Sequence, residues 1–389
     1  MRVCVVTTAF PRWKGDGEAP FLWESVHAIA QQGVQVRVIA MHSPGVSTRD
    51  CIDGIEVIRP RYWWPERWEA LRKAGHGGLP ATLQKYPYVF PQLIPFGIVH
   101  ILSILRFARD CDLLHSHWTL SAAAACVARR IYSLPLVSTV HGSDIFQVTR
   151  HPVGALMTRR ILQCCDHITA VSRALMESTV ALGVDSEKVD VVSNGVDIDR
   201  FVPGAEDRDD IVLFVGSLIE RKGAKYLIAA MQDVVRKFPS CRLVLIGEGP
   251  LRSSLSDLTR KLGLEQHVTF LRFRPQEEVR GWMQRARLLV LPSLEEAQGV
   301  VLLEALACGT PIVASQVDGI PEVVTPDVGL LVPPSDSVAI SDAIQQLLGD
   351  HRRWRGMSRQ ARRRAETRYS WNRTASQFVS IYRSVAGHK

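Results

Sequence analysis

No Cys-x-x-Cys pair and no His-Cys pair at metal-ligand spacing occurs among the eight cysteines at positions 4, 51, 111, 126, 164, 165, 241 and 308. That argues against a structural zinc or a disulfide framework and for reduced thiols in a cytosolic chain. No period of about 20 to 50 residues repeats and no low-complexity tract appears, so repeat architectures are set aside. The opening MRVCVVTTAF has one Arg and a short apolar run ended by two Thr. It reads as a buried first strand and not as a secretion signal.

Two stretches lack charge of one or both signs. From Tyr86 to Leu105 there is no Asp, Glu, Lys or Arg. Such a run invites a membrane span, but Pro87, Pro91 and Pro95, with Gln92, Gly97 and His100, favour a Pro-rich lead-in to a buried or interfacial helix. Its apolar surface could receive a lipid-linked acceptor. Between His351 and Arg373 acids are almost missing: nine Arg stand against Glu366, a local +8 that equals the net charge of the whole chain. The segment sits on a helical tail without the pattern of a nucleic-acid binder. A solvated helix face and attraction to an anionic membrane surface both remain open, each exposed Arg near such a surface contributing about 1 kcal/mol.

What is present is an ordinary globular composition, 46% apolar and 22% charged, over 389 residues. The length suits two domains, expected at 1–195 and 205–366, with 367–389 as a final amphipathic helix. Each half opens on a strand, a loop and a helix and then alternates. That argues for an α/β chain with two Rossmann-like doubly wound sheets facing across a cleft. Loops at the carboxyl ends of such strands are where ligands bind. In the first half these are the Gly15-Asp16-Gly17 loop and the strand ends CDLLHSHW and LPLVSTVHGSD. Gly15, Asp16 and Gly17, with Asp144, are candidates for the acceptor side, although two Gly can equally just make the turn. His141 is the better placed histidine, because Gly142 lets backbone approach a ligand and Asp144 could orient or charge-stabilise the ring. His115 and His117 read more readily as structural.

The stretch Leu291 to Ser315 contains Glu296 in a loop and Glu304 in a short helix that starts near Gly299 and is stopped by Gly309 and Pro311. With about five helical residues between them, at ~1.5 Å per residue, the carboxylates lie on the order of 8 to 10 Å apart. That spans a diphosphate with a sugar at each end. Each acid can accept from two vicinal hydroxyls, while the amides of the helix start (Ala297, Gln298, Gly299, Val300) face the phosphates. The competing reading has both glutamates solvated. Apolar neighbours on both sides of Glu304 weigh against it.

The run EAQGVVLLEALACGTP resembles the E-x7-E signature of retaining glycosyltransferases of the GT-B fold, group 1 or family four. HGSD at His141–Asp144, SNGVD at Ser193–Asp197, VGSLIERKG at Val215–Gly223, IGEGP at Ile246–Pro250 and DGIPE at Asp318–Glu322 resemble further landmarks of that family and fall in its order. The resemblance implies that His141 contacts the transferred sugar, that Glu296 holds the hydroxyls of that sugar, and that the last helix returns to the first domain. The donor-binding set then comprises Gly216, Ser217, Arg221, Lys222, Gly247, Gly249, Glu296, Ala297, Gln298, Gly299, Val300 and Glu304. His141, Lys222 and Glu296 are the catalytic candidates. Where the family has Arg directly after the first Gly of the phosphate loop, this chain has Ser217. Lys222 can act as a point charge on the diphosphate, and Arg221 can supply part of the missing charge.

The expected function is transfer of a hexose from a nucleoside-diphosphate sugar to a saccharide or lipid-linked acceptor, in polysaccharide or glycolipid assembly. No cofactor and no metal are expected, since no Asp-x-Asp stands in a suitable loop, and no nucleic acid. The expected setting is cytoplasmic, peripheral at the inner face of the membrane through segments 86–105 and 351–373. A sugar-nucleotide epimerase and a donor-binding subunit without catalysis are the competing functions.

Overall fold

The computed structural model describes residues 1–71 and 79–387 and divides into two compact units, 1–194 with 371–389 and 195–370. The second unit begins at Gly195, ahead of the expected 205. Val196 bridges to Ser370, and its amide donates to the Tyr369 carbonyl at 2.7 Å, which closes that unit on itself.

The first unit holds an eight-stranded sheet built from β1 (Arg2–Thr7), β2 (Gln35–Ala40), β3 (Arg49–Ile52), β4 (Ile55–Ile58), β5 (Leu113–His117), β6 (Leu136–Val140), β7 (His167–Ala170) and β8 (Val189–Val191). Their order is β3-β4-β2-β1-β5-β6-β7-β8, parallel except for the β3–β4 hairpin. The strands are short apolar runs such as RVCVVT, LLHSH and LVSTV, as expected where helices cover both faces. Strand order reverses between β1 and β5. Register then sets Thr7 beside His117, His117 beside Thr139 and Thr139 beside Thr169, one row near the carboxyl edge. The helix Trp371–Gly387 belongs to this unit, where Phe378, Val379 and Tyr382 join the core that holds Leu22, Val26 and Ile29.

The second unit holds β9 (Asp209–Val215), β10 (Arg242–Ile246), β11 (Val268–Leu271), β12 (Ala286–Leu291), β13 (Ile312–Ser315) and β14 (Gly329–Val332), all parallel in the order β11-β10-β9-β12-β13-β14. The order reverses between β9 and β12. Helix Ala224–Lys237 buries Leu227, Ile228, Met231 and Val234, one stripe at helical spacing, against the stripe Ile340, Ile344 and Leu347 of helix Ser337–Gly349.

The arginine-rich tail proves to be helix His351–Arg368, capped by the Asp350 carboxylate on the Arg353 amide at 2.9 Å. Its buried face, Trp354, Met357, Ala361 and Ala365, packs on helix Val300–Ala307. The opposite face is solvated and exposes Arg352, Arg355, Arg359, Arg363 and Arg368. Arg362 donates to the carbonyls of Ile198, Phe201 and Ala307, and Arg364 to those of Glu322 and Val323, so two of the nine arginines are internal cross-links.

Candidate functional site

At the reversal point of the second sheet, the loop after β9 meets the loop after β12. Lys222, in the 3-10 turn Glu220–Lys222, forms an ion pair with Glu296. Ser293 Oγ donates to the same carboxylate at 3.3 Å. The Glu296 amide donates to Asp318 at 2.9 Å and its carbonyl accepts from Gly319, so the DGIPE loop fixes its backbone. Glu296 is only 9% exposed, which corrects the solvated reading for that residue. Burial, with Glu295 and Glu296 nearby, pushes the Asp318 carboxyl above its ordinary value.

Close approach of backbone explains the glycines. Gly223 has φ +66°, and a Cβ there would lie 1.9 Å from the Pro292 carbonyl oxygen; the Leu294 amide also reaches the Arg221 carbonyl at 2.7 Å. Gly247 and Gly249 press against Gly216 and Leu218, where a Cβ would lie 2.0 and 2.3 Å from their carbonyl oxygens. The IGEGP turn is thus a rigid backing for the loop Gly216-Ser217. Arg221, next to Lys222, makes no ion pair among the described residues.

Helix Val300–Ala307 starts at Gly299, φ +80°, with no side chain capping its first amides, and Ala297, Gln298 and Gly299 before it are buried. Its far end is held by cations. The buried Arg208 donates to the carbonyls of Cys308 and Gly309 and to Thr310, and Arg362 reaches Ala307. Cations on the last carbonyls stabilise the helix dipole whose positive end faces the Lys222–Glu296 loops. Burial lowers the Arg208 guanidinium to about 10. Glu304, half-buried on this helix, accepts from Gln276 Nε2 at 2.9 Å. Neither Arg208 nor Gln276 was found from the sequence, because each acts on a partner some 100 or 28 positions away.

At the reversal point of the first sheet the groups are uncharged. His117 Nδ1 lies 3.0 Å from His141 Nε2, the two rings stacked with centroids 5.2 Å apart. Trp118 packs on His141 at 4.7 Å and Phe21 at 5.3 Å. His115, buried behind His117, bonds Thr139 through Nε2 at 2.7 Å and the Tyr382 hydroxyl through Nδ1 at 2.6 Å. Burial pushes His115 and His141 down to about 3, and His117 well down, with the neighbouring imidazoles adding to the effect on His115 and His117. All three are neutral near pH 7. Trp118 has φ +64°, a conformation rare for a bulky residue, directly after β5 where the strand order reverses.

One expectation for this end is corrected. Asp144 does not touch the His141 ring: its Oδ1 accepts from the His141 and Gly142 amides at 3.1 and 3.0 Å, which shapes the turn, with Gly142 at φ +105°. Burial raises the Asp144 carboxyl to about 6. Asp16 is clamped by the Arg12 guanidinium at 2.7 and 2.8 Å, and Gly15, φ +85°, has open space where a Cβ would go. Gly17 is exposed beside them. His117, read as structural, is the direct partner of His141. The signal was its pairing register with Thr139, two residues before His141. Among the described residues no group of three His, Cys, Asp or Glu could hold a metal ion.

The model of Glycosyl transferases group 1 matches residues 196–364, and that of Glycosyltransferase Family 4 matches 16–200. The chain is 32% identical over 317 residues to D-inositol 3-phosphate glycosyltransferase of Corynebacterium urealyticum, covering 73% of this chain and 74% of that protein. It is 27% identical to N-acetyl-alpha-D-glucosaminyl L-malate synthase of Bacillus anthracis, covering 82% and 92%. Among solved structures it is similar to sucrose-phosphate synthase from Thermosynechococcus elongatus, with TM-score 0.83, 23% identity and both chains fully covered. It is also similar to HepE of Anabaena in complex with UDP and glucose, with TM-score 0.76, 19% identity and coverage of 99% and 100%.

Proposed function

Because the chain belongs to the group 1 glycosyltransferases and has the α/β GT-B fold, we propose that it is a retaining, metal-independent transferase moving a hexose from a nucleoside-diphosphate sugar to an acceptor hydroxyl. The observation that carries this reading is the Lys222–Glu296 pair at the reversal point of the second sheet. Lys222 and Arg221 lie where the leaving diphosphate gathers charge, and the uncapped start of helix Val300–Ala307 adds the positive end of its dipole. Fixed positive potential of this kind supplies what a metal ion would otherwise provide.

The bond from sugar C1 to the diphosphate oxygen breaks while the acceptor oxygen bonds C1 on the same face, and the acceptor's proton passes to the leaving phosphate. Glu296 is held by an ammonium and a hydroxyl. That weakens it as a nucleophile and suits it to accept from sugar hydroxyls. Glu304 accepts from the nucleotide side of the donor. His141, kept neutral by burial, can polarise a sugar hydroxyl without delivering a proton. The two relatives are named for inositol phosphate and malate; for this chain, a saccharide or lipid-linked saccharide bound by the first unit, in cytoplasmic envelope or polysaccharide assembly, is our reading.

The test offers UDP-, GDP- and ADP-hexoses with a panel of saccharide acceptors in EDTA and reads the product anomer by proton NMR. Transfer with the donor's anomeric configuration is expected. An inverted product, or turnover abolished by EDTA and restored by a divalent cation, would contradict the assignment.

A further inference from the structure

Helix Leu93–Phe107 of the first unit is inside out. Its buried positions include His100 and Ser103, with Gln92 just before it, alongside Phe96 and Ile104. Both ring nitrogens of His100 are buried without a hydrogen-bond partner, and burial lowers this imidazole to about 4. Its outward row at i, i+4 and i+8 is Ile94, Ile98 and Leu102, exposed by 70, 53 and 59%. A helix facing water has the opposite arrangement. Two exposed aromatics, Tyr88 and Phe90, continue the apolar surface just before the helix, and Trp68 is tied to the helix start through its carbonyl, which accepts from Gln92 at 2.8 Å.

Among the described residues, the unpaired charges that flank this face along the chain are cationic. From Leu79 to Arg109 there is no Asp or Glu, while Lys85, Arg106 and Arg109 are all exposed; the next acid, Asp110, is paired with Arg2 and Arg37. Side chains half or more exposed at five positions present roughly 500 Å², the scale of a functional patch on a monomer. That is short of the about 800 Å² per partner of a stable dimer. Although Pro87–Phe107 is long and apolar enough to cross a bilayer, its inner face is docked on the protein, so a crossing would strip Phe96 and Ile104 from the core.

We propose that this face, Tyr88, Phe90, Ile94, Ile98 and Leu102 rimmed by Lys85, Arg106 and Arg109, lies flat in the interface of an anionic lipid bilayer. Apolar side chains enter the acyl boundary, aromatics sit at headgroup level and the cations meet lipid phosphate. The proposal does not depend on which sugar is transferred.

The test sediments the full chain with vesicles of phosphatidylcholine alone or with about a third phosphatidylglycerol. Binding to the anionic vesicles is expected. Ile98→Glu and Ile94→Glu, both on exposed positions, should lower partitioning about tenfold or more with an unchanged melting temperature, and Lys85→Gln with Arg106→Gln should remove the preference for phosphatidylglycerol. Absence of wild-type binding, or Glu variants that bind as wild type does, would overturn it. So would a wild-type dimer in light scattering that Ile98→Glu converts to monomer without vesicle binding, since a second copy would then cover the face.

Discussion

At the reversal point of the first sheet three imidazoles and an indole lie ring against ring, whereas at the same topological position of the second sheet an ammonium meets a carboxylate beside a helix start. Both positions arise from parallel strands whose order reverses, and both collect loops at carboxyl ends. The difference lies in what the sequence puts there. Short apolar strands ending in His and Thr bury their tips and hold them uncharged. Glycine-rich loops that pack backbone on backbone bring Lys222 against Glu296, with Arg221 next to Lys222. One scaffold therefore carries a neutral, aromatic cluster at one reversal point and an ionic one at the other.

The largest expected effect separates the two units by acid. His115 and His141 sit near 3 and His100 near 4 when folded, against an ordinary value of about 6.5. Between those limits the unfolded imidazoles bind protons that the folded ones do not, so stability falls as pH drops from about 6.5 toward 3. Glu56, Asp110 and Asp166, lowered by Arg37 and Arg129, act in the same direction at lower pH. Asp144, raised when folded, opposes part of this between about 6 and 4. All of these groups lie in the first unit. Hydrogen exchange near pH 4.5 should show the first unit opening before the second; simultaneous opening, or the reverse order, would break the contrast.

Removing the ionic pair comes next. Lys222→Ala and Glu296→Ala should each lower kcat about 10²- to 10³-fold, the loss typical of one fixed electrostatic group. Since the two side chains hold each other, the double variant should be little worse than the worse single one. Fully additive losses would show that they act separately. Gly223→Ala places a methyl against the Pro292 carbonyl at a positive φ. It should cost about 1 to 3 kcal/mol of stability and lower kcat by pushing the Lys222 and Glu296 loops apart. Glu304→Ala, farther from the transferred sugar, should raise KM for the donor about tenfold, or about 1.4 kcal/mol, with kcat nearly unchanged.

How much of this was legible in the sequence followed from distance along the chain. The alternating strands and the helix between Gly299 and Gly309 rest on local patterns and could be read directly; Lys222, Glu296, Glu304 and His141 were candidates through strand-end loops and the family resemblance, and the structure sets Lys222 against Glu296 and His141 against His117. The β3–β4 hairpin, Arg49–Ile52 with Ile55–Ile58, was missed because its strands are four residues long and not strongly alternating. The His117–His141 contact depends on strand register, and the Arg208 clamp on a buried guanidinium satisfied by carbonyls, neither of which periodicity encodes. Asp144 was assigned to the His141 ring on proximity in sequence, yet a short acid two or three residues past an amide more readily caps backbone.

The central claim is that the donor's diphosphate is held at the ionic end of the second unit and not at the neutral end of the first. Titration calorimetry of UDP, GDP and ADP against wild type, Lys222→Ala and His141→Ala tests it most directly. The account predicts that the nucleotide that binds loses about tenfold or more in affinity with Lys222→Ala and keeps it within about twofold with His141→Ala. Equal losses in the two variants, or undiminished binding without Lys222, would contradict it.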